Sequence, residues 1–240
     1  MPGRLEGKVV CITGAGRGLG RSLAKAFDAE GARLVLGART SPEVDELASE
    51  LSDAIAVQTD VRIPREVQSL IDAAMGEFGQ LDVMINNAGV AVYGPVGTYE
   101  PEEIDAIIDT NVKGVIYCSQ AAFNVMKERR EGFIINISSI AGKLHLPNES
   151  VYNASKWAVN GYTGTLWLEA RKHGIKVATI CPGGINTPFW HTQEYLPFPE
   201  QLDPERDFMN PDEVARSVVE VVCSSREYAV TDIVMQPLLF

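Results

Sequence analysis

The sequence predicts an α/β protein in which a parallel sheet is covered by helices on both faces. Short apolar runs alternate with longer amphipathic stretches along the chain. The apolar runs are nearly continuous rather than alternating with polar residues, as strands buried on both faces require. A chain of 240 residues, of which 45% are hydrophobic and 22% charged, has the size of one such domain. We therefore expect a single domain over residues 1–240 with about seven strands.

The order of the elements follows from these runs, because each amphipathic stretch serves as a crossover helix between two parallel strands. The predicted strands are 8–13, 32–38, 54–59, 81–86, 132–138, 175–181 and 229–236. The predicted helices are 18–30, 42–52, 64–78, 101–130, 152–173 and 211–224. The segment 187–211 is rich in proline and aromatic residues and is predicted to be irregular. A loop of that length is usually functional or mobile, so we expect it to shape the substrate pocket.

Charge and cysteine usage narrow the choice of partners. The 21 basic and 32 acidic residues give a net charge of -11, which repels nucleic acid and anionic membranes. The first residues lack the pattern of a secretory leader and no segment is apolar for long enough to cross a bilayer, so a cytosolic location is expected. The four cysteines are scattered without metal-ligand spacing. They are predicted to be buried thiols, and no metal site is expected.

A glycine-rich run, TGAGRGLG at residues 13–20, joins the first predicted strand to the first predicted helix. Glycines let the backbone turn tightly and approach a pyrophosphate, whose charge is met by the amides at the start of the helix. Glycine runs also serve ordinary turns. The position between a strand and a helix favours a dinucleotide site here.

Tyr152 and Lys156 lie one helical turn apart at the start of a predicted helix. A free tyrosine, with a pKa of about 10, is a poor acid–base catalyst at neutral pH, but a nearby ammonium favours the phenolate. The alternative is an ordinary pair of side chains packed on a helix face. Of the seven tyrosines, only Tyr152 has a lysine four residues later.

Seven markers occur in order along the chain: TGAGRGLG (13–20), Asp60 in TDV, NNAG (86–89), Asn111 in TNVKG, Ser139 in NISSIAG, Tyr152 and Lys156 in YNASK, and PGGINT (182–187). In these markers the chain resembles the short-chain dehydrogenase/reductase family, in its compact single-domain branch, over nearly its whole length. The resemblance implies a Rossmann-type, doubly wound parallel sheet with strand order 3-2-1-4-5-6-7 and an active site at the carboxyl ends of the strands. The larger epimerase and dehydratase branch is disfavoured by chain length and glycine spacing.

The family resemblance implies hydride transfer between a nicotinamide cofactor and a carbonyl or secondary alcohol. Tyr152 would exchange the proton with the substrate oxygen, and Ser139 would hydrogen-bond that oxygen. Ser138 is the structural alternative at the same strand end, although the spacing to Tyr152 favours Ser139. Lys156 would lower the pKa of Tyr152 and hold the nicotinamide ribose. Asn111 would keep a water in a proton relay, whereas sequence alone favours a helix-kinking or capping amide.

The same resemblance assigns contacts to the cofactor. Asp60 would meet the adenine, residues 87–89 the adenosine ribose, the Ile185 backbone the carboxamide, and Thr187 the diphosphate. Asn86 would instead tie neighbouring strands together. The expected cofactor contacts are Gly14, Arg17, Gly18, Leu19, Gly20, Arg39, Asp60, Val61, Asn87, Ala88, Gly89, Tyr152, Lys156, Ile185 and Thr187.

The expected cofactor is NADP(H). In the NAD-preferring pattern, an acidic side chain at the end of the second strand bonds the adenosine ribose and would repel a 2′-phosphate. That position is Ala38 here, and Arg39 follows it. The Arg39 guanidinium can bind a phosphate and stack on adenine, and Arg17 offers a second cation. The alternative is that both arginines are solvated loop residues.

Several further features bear on substrate and assembly. The chain ends TDIVMQPLLF, without the glycine pair of many relatives, which resembles the subgroup acting on small hydroxy acids, hydroxy amino acids and ketones. A 3-oxoacyl thioester reductase and a non-catalytic NADP-binding sensor remain alternatives. His173 is expected to cap a helix, and His145 and His191 to lie in loops. One face of the helix from 152 carries mostly small residues and allows close helix contact, with packing on the subunit's own sheet as the alternative: Ala154, Ala158, Gly161, Thr165 and Leu168. The family resemblance, in which this helix and its predecessor pair across a two-fold axis, implies a homodimer or homotetramer.

Overall fold

The central feature of the computed structural model, which describes residues 3–199 and 201–238, is a seven-stranded sheet in the order β3-β2-β1-β4-β5-β6-β7. All neighbouring strands pair in parallel, so the predicted topology is confirmed. The chain changes winding direction between β1 and β4, which opens a crevice at the carboxyl ends of these strands. The strands are β1 Val9–Thr13, β2 Arg33–Ala38, β3 Ala54–Gln58, β4 Val83–Asn86, β5 Gly132–Ile137, β6 Ile175–Pro182 and β7 Asp232–Met235.

Helices cover both faces of the sheet and form two apolar layers with it. One layer contains residues of α1, α2 and α8, and the other contains residues of α3, α5 and α6. In the described part of the chain, no helix is both long and apolar enough to span a bilayer. The helices are α1 Gly18–Ala29, α2 Ser41–Glu50, α3 Pro64–Phe78, α4 Pro101–Ile108, α5 Val115–Arg129, α6 Ser150–Ala170, α7 Pro204–Asp207 and α8 Pro211–Val222.

The predicted helix 101–130 is not continuous. A π-helical turn, Asp109–Gly114, separates α4 from α5. Two tertiary contacts account for it. The side chain of Asn111 is held by the backbone of Val90, and Gly114 packs so close to Val61 that an added Cβ would lie 2.7 Å from its Cγ2 atom. Periodicity cannot reveal such an interruption, because both contacts come from distant parts of the chain.

Two other predicted boundaries are wrong. The segment 187–211 is not wholly irregular, since it contains a 3₁₀ turn at Trp190–Thr192, the short helix α7 and a bridge between Ile185 and Met209. The last strand covers Asp232–Met235 rather than 229–236. Residues on one face of β7 are half-buried and those on the other are exposed. The strand lies at the edge of the sheet and is covered less than the central strands.

The cysteines are free thiols, as predicted, but not all are buried. Cys11, Cys118 and Cys181 are buried, whereas Cys223 is only partly covered. Cys223 follows the last turn of α8, where the chain leaves the helix for the surface. The expectation of burial is therefore wrong for this one residue.

The small-residue face of α6 does not pack on the sheet. Its five members, from Ala154 to Leu168, are exposed, and Leu168 retains 51% of its surface. A Cβ added at Gly161 would meet no atom within 4 Å among the described residues. The alternative of packing within the same subunit is thereby wrong, and this face remains open for another chain.

Candidate active site

A cavity of about 580 Å³ lies at the carboxyl ends of the central strands. The glycine-rich loop after β1 forms one end, and the aromatic loop after β6 forms the other. Every residue expected to contact a cofactor lines this cavity, as does Ser139. Asn111 is not among its lining residues.

The glycine-rich loop has a geometry that only glycine permits. Gly14 and Gly18 have φ angles of +64° and +53°, in the left-handed region that side chains disfavour. A Cβ on Gly20 would lie 2.1 Å from the carbonyl oxygen of Gly14. Helix α1 begins at Gly18, so its first amides lack intrahelical partners at the cavity wall. The cradle therefore fits a pyrophosphate, as the sequence predicts.

Two cations and one acid line the cavity: Arg17 from the glycine-rich loop, Arg39 just after β2, and Glu43 from α2. Arg17 and Arg39 are exposed, and no ion pair links either guanidinium to a residue that the structure describes. Ala38 is buried, with 8% exposure. Glu43, from the first turn of α2, also lines the cavity, and its Oε2 atom would lie 3.1 Å from a Cβ added at Gly16. Sequence reasoning missed Glu43 because only the fold brings it to this loop.

Asp60 lines the cavity, and its carboxylate has a protein partner. Arg62 Nη2 donates to Asp60 Oδ2 at 2.6 Å, and Arg62 Nε donates to both carboxylate oxygens at 3.0 Å. This pairing lowers the pKa of the Asp60 carboxyl. Asp60 is thus a fixed anion at the wall of the cavity. The sequence offered no signal for its pairing with Arg62, and its contact with an adenine stays a prediction.

Ser139, Tyr152 and Lys156 meet at the wall of the cavity. Ser139 Oγ accepts a hydrogen bond from Ala141 N at 3.1 Å, which orients the hydroxyl at the end of β5. Lys156 Nζ donates to the carbonyl oxygen of Ile137 at 3.0 Å and lies 5.5 Å from the ring centroid of Tyr152. Helix α6 begins two residues before Tyr152, which places Tyr152 and Lys156 one turn apart on one face.

The ionisation of this cluster is dominated by burial. Burial raises the pKa of the Tyr152 hydroxyl above its usual value, while a hydrogen bond with Ser139 lowers it. Burial also lowers the pKa of the Lys156 ammonium to about 8. Burial and the hydrogen bond with Ser139 are the two largest effects on the Tyr152 hydroxyl. The expected effect of Lys156 on the pKa of Tyr152 stays a prediction.

Ser138, Asn86 and Asn111 hold the scaffold together beneath the cluster. Ser138 Oγ donates to the carbonyl oxygen of Lys156 at 3.3 Å. Asn86 Nδ2 donates to Asn136 Oδ1 at 2.7 Å, so it joins β4 to β5 as predicted. Asn111 Oδ1 accepts from Val90 N at 2.9 Å, and its Nδ2 donates to Val90 O at 2.8 Å. Asn111 thus lies in the π-helical turn Asp109–Gly114 with its amide bonded to the backbone of Val90, which fits the helix-kinking amide that sequence alone favours. Its part in a proton relay stays a prediction.

The opposite end of the cavity is aromatic. Tyr93 is 6% exposed, stacks on Trp190 with ring centroids 6.0 Å apart, and meets Tyr152 edge to face at 5.6 Å. Phe189 and Phe198 line the same end. The predicted role of the 187–211 loop in shaping the pocket is consistent with this arrangement, but sequence reasoning missed Tyr93.

Glu149 is the second acid that sequence reasoning missed. It lines the aromatic end of the cavity and is 8% exposed, one turn before Tyr152 in the chain. Burial raises the pKa of its carboxyl to about 7. The only available signal was its position three residues before the tyrosine.

The histidines lie outside this cavity. His145 stacks on Trp157, with centroids 5.4 Å apart. His173 meets Phe123 edge to face at 5.3 Å, in the 3₁₀ turn that ends at Gly174. His191 is exposed within its 3₁₀ turn. None of the three is a lining residue of the cavity.

The sheet order, the glycine cradle and the Ser139–Tyr152–Lys156 cluster define a Rossmann-type oxidoreductase. The family profile described as short chain dehydrogenase matches residues 8–195, and the chain belongs to this family.

Individual relatives agree with the assignment. An uncharacterized oxidoreductase of Staphylococcus aureus strain USA300 is 36% identical over 236 residues, which cover 98% of this chain and 99% of the relative. A metagenomic short-chain oxidoreductase, solved in complex with NADP, has a TM-score of 0.84 and 29% identity over 99% of this chain and 100% of that one. A 3-ketoacyl-(acyl-carrier-protein) reductase from Brucella melitensis, solved with NADH, has a TM-score of 0.87 and 30% identity over 97% and 98%.

Proposed function

We propose that this protein is an NADP(H)-dependent oxidoreductase that interconverts a carbonyl and a secondary alcohol on a small substrate. In the reducing direction, a carbonyl, NADPH and one proton give the alcohol and NADP⁺. The observation that carries the proposal is that Ser139, Tyr152 and Lys156 share one cavity with the glycine cradle. This arrangement supports a cofactor that reaches from the cradle to the tyrosine.

The protein groups would handle the proton and the developing charge. A nicotinamide supplies or accepts the hydride when it is bound. Tyr152 gives its proton to the carbonyl oxygen, and the Ser139 hydroxyl donates a hydrogen bond to the same atom. Lys156, whose pKa is lowered to about 8, is still charged at neutral pH and stabilises the anion left on Tyr152. The proposed relay water near Asn111 rests on the family resemblance.

Removing the Tyr152 hydroxyl tests this mechanism. Tyr152→Phe is expected to lower turnover by about 10²–10⁴, the usual contribution of a general acid, while cofactor affinity stays within a few-fold. Tyr228→Phe is the matched control, because Tyr228 is 58% exposed and lies outside the cavity lining. Turnover of a carbonyl panel is followed as absorbance of the reduced nicotinamide. Near wild-type turnover of Tyr152→Phe would remove the residue from the mechanism.

The choice of NADP(H) is supported by two cations and opposed by one acid. Arg17 and Arg39, which form no ion pair with the described residues, can bind a 2′-phosphate. The Glu43 carboxylate beside Gly16 would repel it. We expect the cations to prevail, with a ratio of kcat/KM for NADPH over NADH above one. The double variant Ala38→Asp, Arg39→Leu should lower this ratio.

Glu43→Gln separates the two electrostatic effects, because it removes the carboxylate and keeps both arginines. The ratio of kcat/KM for NADPH over NADH should rise in this variant. A wild-type ratio below one, or a ratio that neither variant changes, would contradict the assignment of cofactor preference to these residues.

A 3-oxoacyl thioester is the second candidate substrate. The observation in its favour is the 30% identity to a reductase named for 3-ketoacyl-(acyl-carrier-protein), over 97% of the chain. Acetoacetyl-CoA in the carbonyl panel distinguishes the candidates. Tight cofactor binding without turnover of any carbonyl or alcohol would instead support a sensor.

We further propose that the protein is a homodimer or homotetramer through the face of α6 defined by Ala154, Ala158, Gly161, Thr165 and Leu168. The exposure of all five residues leaves a surface of mostly small side chains on which another helix can pack closely. Light scattering at micromolar concentration should give a multiple of 26.1 kDa. A monomer mass would defeat this proposal.

A further inference from the structure

The aromatic end of the cavity contains one acid that the mechanism does not use. Glu149 is 8% exposed and lines the cavity, and its charge bears on the ionisation of both Tyr93 and Tyr152. Across residues 3–199 and 201–238, no group donates a hydrogen bond to its carboxyl. A buried carboxylate without a partner is costly, so an incoming ligand with positive charge would relieve that cost.

Among the described residues, no cation competes for this carboxyl. The basic side chains that line the cavity are Arg17, Arg39 and Lys156. The two arginines belong to the glycine-rich loop and the end of β2, at the other end of the cavity. Lys156 donates to Ile137 O, and it does not contribute to the ionisation of Glu149, which is shifted by burial alone.

The walls around Glu149 suit an apolar body next to the charge. Tyr93, Phe189 and Trp190 line this end and contact one another through their rings, with centroids 5.3–6.5 Å apart. Aromatic rings also attract ammonium groups through their π faces. The net charge of -11 adds a field that concentrates cations and disfavours anions at the entrance.

We propose that Glu149 makes the substrate pocket selective for carbonyl or alcohol compounds that carry an ammonium group on an apolar or aromatic body. A substrate with a carboxylate would instead bring a second negative charge into the same apolar space. This inference rests on the proposed function, and it argues against small hydroxy acids as substrates. For hydroxy amino acids, repulsion between their carboxylate and Glu149 would cancel the attraction between Glu149 and their ammonium group.

Three ketones of nearly equal shape test the proposal. Each has a phenyl ketone at one end, and the alkyl chain ends in dimethylammonium, isopropyl or carboxylate. Since the pKa of Glu149 is raised to about 7, kcat/KM is measured at pH 8 with NADPH, where the carboxyl is ionised. The wild type should prefer the dimethylammonium ketone over the isopropyl ketone by about tenfold or more, as expected for a desolvated charge pair. The carboxylate ketone should be the poorest substrate.

Glu149→Gln gives the matched comparison, because it keeps the size of the side chain and removes its charge. The dimethylammonium-to-isopropyl ratio should fall towards one, and the relative efficiency with the carboxylate ketone should rise. Glu149→Asp, which restores the charge, should recover part of the ratio. Circular dichroism and NADPH affinity establish that each variant is folded, and the wild-type ratios test the proposal even if Glu149→Gln does not fold.

The outcomes separate this inference from the proposed function. Reduction of all three ketones with equal efficiency by the wild type, or a ratio unchanged in Glu149→Gln, would overturn the role of Glu149 while leaving the oxidoreductase in place. Absence of turnover with every ketone and alcohol of the panel, despite NADPH binding, would overturn both.

Discussion

Replacing Glu149 by glutamine should change how the stability of the protein depends on pH. Burial raises the pKa of this carboxyl from 4.5 to about 7, so between these values the folded state binds more protons than the unfolded state. The contribution of Glu149 to the free energy of unfolding therefore falls as pH rises through that window. The full loss is about 3 kcal/mol, because a tenfold change in a proton-binding constant corresponds to ~1.4 kcal/mol. Glutamine does not titrate, so the free energy of unfolding of the variant does not decrease with pH through this site.

Urea unfolding, followed by tryptophan fluorescence without added nucleotide, measures the effect. A range from pH 5.5 to 8.5 stays above the isoelectric point near 4.8 and contains about 2 kcal/mol of the expected change. Over that range, the free energy of unfolding of Glu149→Gln minus that of the wild type should rise by this amount. The constant cost of placing an amide in the cavity cancels, because only the change with pH is used.

Glu169→Gln is the control for this experiment, since it makes the same substitution at an exposed position in α6, the helix that begins directly after Glu149. Its pH dependence should follow that of the wild type. A difference between Glu149→Gln and the wild type that stays constant from pH 5.5 to 8.5 would refute the reasoning, because it would mean that the Glu149 carboxyl titrates alike in the folded and unfolded chains.

Three further predictions concern the scaffold. Gly20→Ala should destabilise the protein by about 2 kcal/mol or more, because the new Cβ would lie 2.1 Å from the carbonyl oxygen of Gly14, and the overpacking must be relieved by moving backbone. Gly76→Ala, whose Cβ would meet no described atom within 4 Å inside α3, should stabilise by ~0.5–1 kcal/mol, the difference in helix propensity. Asp82→Ala should cost about 2 kcal/mol, since it removes the acceptor of the buried Val9 amide, 2.9 Å away. Urea unfolding checks all three, and equal stability of the two glycine variants would contradict the packing argument.

The sequence predicted the parallel sheet, and the family resemblance gave its strand order and part of the cavity lining. Buried parallel strands need continuous apolar runs, and a run such as KVVCIT at residues 8–13 carries that requirement locally. The glycine cradle could also be predicted, because the left-handed φ angles at Gly14 and Gly18 restrict the choice of residue at those positions. Family resemblance then placed Ser139, Tyr152 and Lys156 in one site, and they do line one cavity.

Only the tertiary structure decided the electrostatics of that cavity. The sequence around a carboxylate does not show whether the group faces water or an aromatic pocket. The tertiary structure decides its environment. Burial raised the pKa of the Tyr152 hydroxyl and lowered the pKa of the Lys156 ammonium to about 8. The fold likewise brought Glu43 to the glycine-rich loop and buried the Glu149 carboxyl at the aromatic end of the cavity. These effects depend on distance and dielectric environment across the fold, neither of which is encoded in local sequence patterns.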